Sequence, residues 1–394
     1  MERNMIRKCY RILCAISGGV DSAVAAFILK RQGYQVSGCF IKCWSPSDEN
    51  NACQSEKDFQ DAQVVCRKLD IPLYYQDYSK QYWTTVFQPF LKEYQLGRTP
   101  NPDILCNKHI KFGCFLNTML NEGKYDCMAT GHYAKLDLDT DNILQLMKCK
   151  DRMKDQTFFL SQVSSLAFQR VIFPLENFDK PLVRKIAKEN GLMSVANKRD
   201  STGICFIGRR SFTEFIDQYV ELNPGPIECV DNGLIQSIQH QGIHRHTIGQ
   251  RIKLQNIAKP YFVCGKDTSM NKLYVANSTI HRALYSDEFI TDVPFWISGI
   301  APLLPLTLVD HIYFKFQHIH MEILCENIQN YGNCLKVKLS MPLRAITPGQ
   351  YAVFYRNECC LGSAKILETL SLRPGKKIEI PYTDKYLNRI QQRC

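Results

Sequence analysis

The stretch "AISGGVDS", Ala15 to Ser22, constrains this chain more than any other part of it. It follows the apolar run "RILCAIS" and leads into "DSAVAAFILKRQG", so a strand breaks at two glycines and a helix starts at once. Such a turn aims backbone N–H groups and the positive end of a helix dipole at one point, which makes it an anion cradle. Gly18 and Gly19 let the backbone approach a phosphate, Ser17 and Ser22 offer hydroxyls, and Asp21 can hold a magnesium ion. The Lys-Ser/Thr pair of the common P-loop is missing, so γ-phosphoryl transfer is not the chemistry implied. The plain alternative is a strand–turn–helix junction capped by Asp21 or Ser22.

The residues that follow keep alternating between strand and helix patterns. "RILCAIS", "YQVSGCFIKCW", "IPLYYQDY" and "YDCMATGHYAKL" read as strands, separated by "DSAVAAFILKRQG", "EKDFQDAQVVCRKLD" and "QYWTTVFQPFLKEYQLG" as helices. That rhythm predicts an α/β domain with a doubly wound parallel sheet, whose ligands collect at the carboxyl ends of the strands. Those ends are "SGGVDS", "IKCW" and "ATGHY". From about residue 205 the pattern changes to one amphipathic helix, "FIGRRSFTEFIDQYV", and short Gly-punctuated runs. From about 290 short alternating strands such as "IYFKFQH", "CLKVKLS" and "QYAVFYRNECCLGSAKILE" predict a small antiparallel β-barrel. The expected division is 1–204, a small central domain over 205–285, and the barrel over 286–394.

A chain of 394 residues is long enough for two or three domains. Its net charge of +11, from 49 Lys and Arg against 38 Asp and Glu, favours a polyanionic partner such as nucleic acid. No run approaches the roughly 20 apolar residues of a membrane span, so no membrane association is expected. The 18 cysteines have no framework spacing, and most of them are expected to be reduced thiols inside a cell. The leader "MERNMIRKCYR" is basic and short, weak support for a mitochondrial presequence.

Two further stretches carry chemistry. In "LGRTPNPDILCNKHIKF", residues 96–112, Pro100 and Pro102 stiffen a loop that holds Asn101 and Asp103 near Cys106, and Lys108, His109 and Lys111 are placed to favour a Cys106 thiolate. In "NKRDSTGICFIGRR", Cys205 sits between Ile204 and Phe206. A structural cysteine is the bland reading of either one.

The Ser-Gly-Gly-Val-Asp-Ser turn resembles the pyrophosphate loop of the ATP-pyrophosphatase superfamily. Together with "GRTPNPDILCNKHIKF", "ATGHYAK", "KDQTFFLS", "DSTGICFIGRRSF", "HTIGQR" and "LYSDEF", in that order, the chain closely resembles the tRNA-specific 2-thiouridylases, in particular their mitochondrial animal form. The resemblance implies a pyrophosphate-loop catalytic domain over 1–204 and a central tRNA-binding domain after it. It implies that ATP, with Mg2+, adenylates the C2 oxygen of the wobble uridine of Lys, Glu and Gln tRNAs, and that sulfur from a cysteine persulfide replaces that oxygen. Cys205 would take the persulfide from an upstream donor, Cys106 would attack it to end as a Cys106–Cys205 disulfide, and Asp103 would move a proton or hold the base. ATP would lie against Ala15, Ile16, Ser17, Gly18, Gly19, Val20, Asp21 and Ser22, with Ile41 and Gly131. The tRNA would meet Asn101, Pro102, Asp103, His132, Lys154, Asp155, Gln156 and Gln350. No protein-bound metal cluster is implied.

The chain departs from the family at "IKCW", where Ile41 replaces the usual Met and Cys43 the usual Asn, and at "YFKFQH", where Lys315 and Phe316 replace an Arg-Tyr pair. The alternatives are another pyrophosphate-loop enzyme adenylating a small molecule, which needs no paired cysteines, and a cluster-dependent tRNA thiolase. The second would use Cys-x-x-Cys spacings, which this sequence lacks.

Overall fold

The computed structural model describes residues 11–44, 54–199, 204, 206–207, 210–254, 259–302 and 311–371. The basic leader before residue 11 and Cys205 lie outside these.

The first five residues described form β1 (Arg11–Ala15), followed by α1 (Val20–Arg31), β2 (Gln35–Lys42), α2 (Gln54–Leu69) and β3 (Leu73–Asp77). With β4 (Cys127–Ala129) and, after the hairpin β5 (Lys135–Leu138) and β6 (Leu144–Met147), β7 (Val171–Ile172), they build a sheet ordered β3-β2-β1-β4-β7. Every pairing in it is parallel. The chain leaves β1 toward β2 on one side and later returns to β4 on the other, so the crevice between the ends of β1 and β4 is the switch point where such sheets bind ligands.

Side chains of a strand alternate between faces, and β1 shows it. Ile12 and Cys14 enter a core with Val24, Ala25 and Val65 from α1 and α2. Leu13 points the other way, into a core built largely by the helical segment 79–122. That segment holds two π-helical stretches, Trp83–Phe87 and Cys106–Phe115, among α-helical turns at Ser79–Tyr82, Gln88–Gln95, Pro102–Leu105 and Leu116–Glu122. Within the second, Gly113 is needed for close contact, because a Cβ there would stand 2.8 Å from the Lys108 carbonyl oxygen.

Two expectations about elements change. "YDCMATGHYAKL" is not one strand: β4 belongs to the parallel sheet, whereas β5 pairs with β6, which pairs with the last strand of the C-terminal barrel. The long amphipathic helix expected across 206–220 is helical only over Phe212–Ile216 among the described residues. Its apolar residues Phe206, Phe215 and Ile216 are buried all the same, packed into the core beneath β1. Tertiary packing therefore explains the apolar pattern without a helical period.

The central unit is a five-stranded sheet of β8 (Gly225–Cys229), β9 (Gly233–His240), β10 (Arg251–Ile252), β11 (Tyr261–Asp267) and β12 (Lys272–Ala276), ordered β10-β11-β12-β8-β9. In the last unit β13 (Tyr285–Thr291), β15 (Ile312–Lys315), β16 (Ile323–Tyr331), β17 (Cys334–Arg344), β18 (Tyr351–Arg356) and β19 (Cys359–Ser371) close into an antiparallel barrel, because β13 pairs with both β17 and β19. The short β14 (Phe295–Trp296) pairs with β19. Among the described residues no helix is long and apolar enough to cross a membrane.

Candidate active site

The turn after β1 is shaped by contacts that only glycine permits. Gly18 has φ +72°, and a Cβ on it would lie 2.2 Å from the Asp58 carbonyl oxygen at the start of α2. Gly19 is the N-cap of α1 with no side-chain cap, so the helix start is left to its backbone. Gly131, after β4, sits so close that a Cβ would lie 2.6 Å from the Ser22 amide nitrogen. The loop and "ATGHY" therefore meet at the switch point of the sheet. Ser22 is buried, accepts from the Ser17 amide at 3.1 Å and donates to the Gly19 carbonyl at 3.1 Å, with the Ser17 hydroxyl 3.2 Å away. Its hydroxyl holds the turn closed.

Charges around the loop come from residues that its motif does not contain. Lys198 Nζ donates to the Gly18 carbonyl at 3.0 Å and to Asp58 and Asp61 at 2.6 and 2.7 Å. Burial works to lower its pKa, but the two carboxylates outweigh this and hold it above the ordinary lysine value. Lys180 Nζ donates to both Asp21 oxygens at 2.7 Å, and the Tyr133 hydroxyl donates to Asp21 Oδ1 at 2.8 Å. No local signal marks Lys180 or Tyr133, each more than 100 residues from Asp21.

Cys106 opens the second π-helical stretch, a kind of irregularity often found at functional sites. The turn before it starts with Asn101 as N-cap, whose Oδ1 accepts from the Asp103 amide at 3.2 Å, and with Pro102 in the first helical position. Burial and proximity then set the chemistry. Burial raises the Asp103 carboxyl above the usual range, and Lys111 opposes this only in part. The Cys106 thiol, 6% exposed, lies below the ordinary thiol value. Its hydrogen bond with Cys43 contributes most and Lys111 adds to it, against burial and Asp103. Buried thiols elsewhere behave oppositely: burial lifts Cys66 to about 11 and Cys149 to about 12. Among the described cysteines with a resolved shift, Cys106 alone moves down.

The sequence pointed to Lys108, His109 and Lys111 together as the source of that shift, and the structure divides them. Lys108 donates to Gln162 at 2.9 Å and lies over the Phe295 ring, with its own pKa lowered by burial. His109 is lowered by burial and by Lys108. Lys111 is the cation that acts on the thiol, and Cys43, where the family has Asn, is the partner that sequence reasoning could not supply.

Ala15, Ile41, Cys43 and Trp44, at the carboxyl ends of β1 and β2, pack on the same apolar cluster as Cys106. Ile204 and Phe206, on either side of Cys205, belong to it as well, and the Phe206 ring lies 5.5 Å from Trp44 and 5.2 Å from Phe87.

His132 is buried, its Nδ1 2.7 Å from the Thr130 hydroxyl and its ring between Phe112 and Phe173. Burial first, then Lys111, holds its pKa well below 6.5, so it is neutral. Asp155 is buried and accepts from the Cys149 and Thr157 amides at 2.9 and 3.2 Å. Gln156 exchanges hydrogen bonds with Tyr133 at 2.8 and 3.0 Å, and Lys154 stands in the adjoining turn. Gln350 donates through Nε2 to the Thr99 carbonyl at 2.7 Å. In the barrel, Phe316 is buried and burial lowers Lys315.

Three family models match in succession: the HUP domain of a tRNA methyl transferase family over residues 10–209, its PRC-barrel domain over 213–277, and an aminomethyltransferase β-barrel domain over 286–366. The chain is 44% identical over 374 residues to "Mitochondrial tRNA-specific 2-thiouridylase 1" of Drosophila melanogaster, covering 93% of this chain and 95% of that one. The human protein of the same name is 41% identical, with 90% of each chain covered. The "tRNA-specific 2-thiouridylase MnmA" of Legionella pneumophila strain Paris is 45% identical, covering 90% and 98%.

The chain belongs to the tRNA-specific 2-thiouridylase family. As a member of this family it is a tRNA sulfurtransferase. Ala15, at the start of the glycine turn, packs on the apolar cluster that holds Cys106, while Ile16 and Val20 of the turn enter the core on the other face of the sheet. A 2-thiouridylase needs a surface for RNA. His132, neutral and enclosed, packs between Phe112 and Phe173, while the loop leading to Asn101–Asp103 is tied to Gln350 of the barrel through Thr99.

Proposed function

We propose that this protein activates the C2 oxygen of a tRNA wobble uridine with ATP and replaces it with sulfur. The observation that carries the reading is the buried Cys106 thiol held below its ordinary pKa, beside Asp103, in the apolar cluster that the ends of β1 and β2 also enter.

The phosphates would lie on the turn from Ala15 to Ser22. Gly18 and Gly131 leave no room for a Cβ there, so backbone N–H groups at the start of α1 can come close to an anion. Ile41 supplies an apolar wall for the adenine. Asp21 is the loop's carboxylate for a magnesium ion, an oxygen ligand of the kind a hard cation takes, and Lys180 competes with the ion for it. An amide-like oxygen leaves poorly until it is esterified, so the uridine O2 attacks the α-phosphorus and pyrophosphate departs.

Sulfur arrives as a Cys205 persulfide loaded by an upstream donor. The Cys106 thiolate attacks Cys205 Sγ, the S–S bond to the outer sulfur breaks, and hydrosulfide is released next to the activated C2. Addition there expels AMP and leaves the C2–S bond of 2-thiouridine. The two cysteines lose two electrons and the outer sulfur gains them, so a thiol reductant must reopen the Cys106–Cys205 disulfide after each turnover. Asp103, its carboxyl raised by burial, is suited to hold the proton that this exchange displaces. Asn101, Pro102, His132, Lys154, Asp155, Gln156 and Gln350 are assigned to positioning the anticodon arm, several of them through the loops they hold. Residues 1–204, 205–285 and 286–394 act as the catalytic, central and barrel units. Lys, Glu and Gln tRNAs are the proposed substrates, and the names of the fly and human relatives support placing them in mitochondria, while the bacterial relative is equally similar.

The test is mass spectrometry of wobble nucleosides in mitochondrial and cytosolic tRNA from cells lacking the protein, re-supplied with wild type or Cys106→Ala. Loss of mitochondrial 2-thiouridine derivatives, restored only by wild type, is expected. Unchanged 2-thiouridine in both pools would refute the reading.

A further inference from the structure

Cys106 faces a second thiol. Cys43 stands one residue beyond the end of β2, packs on the apolar cluster that contains Cys106, and shares a hydrogen bond with it. Both residues are thiols in the structure, Cys106 buried and Cys43 half-buried. At the position of Cys43 the family has Asn, whose amide can hold the Cys106 sulfur but cannot bond to it covalently. A thiol can do both.

Two sulfurs that share a hydrogen bond have only to close to the roughly 2 Å of an S–S bond. Cys43 lies past Lys42, the last paired residue of β2, so the adjustment falls on the loop and not on the sheet. Cys14 and Cys66 also interact, in the core between β1 and α2, but they are 0% and 2% exposed. Burial raises both, Cys66 to about 11, so neither offers a thiolate near neutral pH. Cys106 is held below the ordinary thiol value, by the Cys43 hydrogen bond and by Lys111 against burial and Asp103. A thiolate beside a second cysteine is what reversible oxidation requires.

We propose that Cys43 and Cys106 are a redox-active pair that a peroxide closes into a disulfide, taking Cys106 out of sulfur delivery until a thiol reductant reopens it. The Cys106 thiolate attacks a peroxide oxygen, the O–O bond breaks, and Cys106 sulfenic acid and hydroxide form. Cys43 Sγ then attacks Cys106 Sγ, and the hydroxyl leaves with the Cys43 proton as water. The two sulfurs lose two electrons and the peroxide gains them. A dithiol reverses the step by exchange and ends as a disulfide itself. Closure of the pair needs only this geometry, whereas its effect on thiolation rests on the reading that Cys106 releases the sulfur.

The full chain, treated with equimolar hydrogen peroxide and digested under alkylating conditions, tests the pair by peptide mass spectrometry. A peptide linking Cys106 to Cys43 is expected, and dithiothreitol should abolish it. Fragmentation assigns the bond, since Cys53 shares a tryptic peptide with Cys43. Cys106 linked only to Cys53 or Cys205, or oxygenated while Cys43 remains open to alkylation, overturns the proposal. Under excess peroxide Cys43→Asn should accumulate about tenfold more Cys106 sulfinic acid than wild type, and equal accumulation would count against the pair. Wild type carrying the link should lose single-turnover thiolation of tRNA in proportion to the linked fraction, and dithiothreitol should restore it. If linked protein still thiolates, the sulfur-delivery reading of Cys106 falls with the inhibition. If the link never forms, this proposal falls alone, and that result needs no variant to fold.

Discussion

Gln350 of the C-terminal barrel donates through Nε2 to the Thr99 carbonyl at 2.7 Å, two residues before the Asn101 that caps the Cys106 helix. The Thr99 amide donates to the Pro348 carbonyl at 2.9 Å, and Gly349, at φ +95°, is so close that a Cβ would lie 2.8 Å from the Thr99 nitrogen. From the central sheet, Lys266 donates to the Gly97 carbonyl at 2.8 Å. The central sheet and the barrel thus both hold the short loop 97–101, which leads into the turn that carries Cys106.

Gln350→Leu removes one side-chain hydrogen bond from a half-buried carbonyl, so it should cost only about 1 kcal/mol of stability. Its larger effect should be on turnover, because small displacements of a reacting group are expensive in rate. Thiolation by Q350L should fall roughly tenfold in kcat while ATP affinity holds within about twofold. If ATP affinity falls in step with kcat, the barrel contact serves the whole domain instead of the loop.

Cys43→Ala removes the leading contribution to the depressed Cys106 pKa, leaving Lys111 against burial and Asp103. The alkylation rate of Cys106, followed by peptide mass spectrometry against pH, should show its midpoint move upward in C43A. Lys111→Met should move it in the same direction. Cys43→Asn, restoring the donor typical of the family, should keep the midpoint below that of C43A. Superimposable profiles for wild type and C43A would remove Cys43 from the account of this thiol.

The strand–turn–helix cradle was legible from Ala15 to Ser22 because its signals are local: an apolar strand, two glycines and a helix pattern. The Cys106 thiol was legible only as a candidate, since its environment is set across the fold by Cys43 and Lys111, not by Lys108. The contact between Lys180 and Asp21 was invisible, because nothing in "DKPLVRK" distinguishes this lysine from an ordinary helix-surface one until Asp21 is seen beside it. "YDCMATGHYAKL" failed as a single strand for a related reason. Its apolar pattern is continuous, but Leu136 on β5 pairs with Leu146 of a hairpin that joins the barrel, and no local pattern records which sheet takes each half.

Gly18→Ala meets two obstacles at once, a positive φ and a backbone oxygen 2.2 Å from the new Cβ. Neither relaxes without moving α2 away from the turn. The variant should lose about 1–3 kcal/mol of stability, with a matching drop in Tm, and should bind ATP much more weakly. Gly33→Ala is the control for the strained φ alone: it has φ +88° but no atom within 4 Å of the added Cβ. It should cost less and leave ATP binding unchanged. Equal ATP affinity in G18A and wild type would show that the turn is not the phosphate cradle.

Lys266 gives a pH signature for the contact between the central sheet and the loop. Burial pushes its ammonium from 10.5 down to about 7 in the folded protein, while its Nζ donates to Gly97. The folded pKa is below the unfolded one, so the stabilisation linked to this group is complete above the unfolded value and is lost as pH falls toward about 7. Wild type should therefore gain stability over Lys266→Met as pH rises from 7 to 10, with a limiting slope of about 1.4 kcal/mol per pH unit. His246 does not blur this window, since burial first, then His240 and Lys266, push it down to about 4. Urea unfolding of both proteins at several pH values measures the difference. A constant gap across the range would mean that Lys266 titrates at its ordinary value, and that its bond to Gly97 is made by a solvated ammonium.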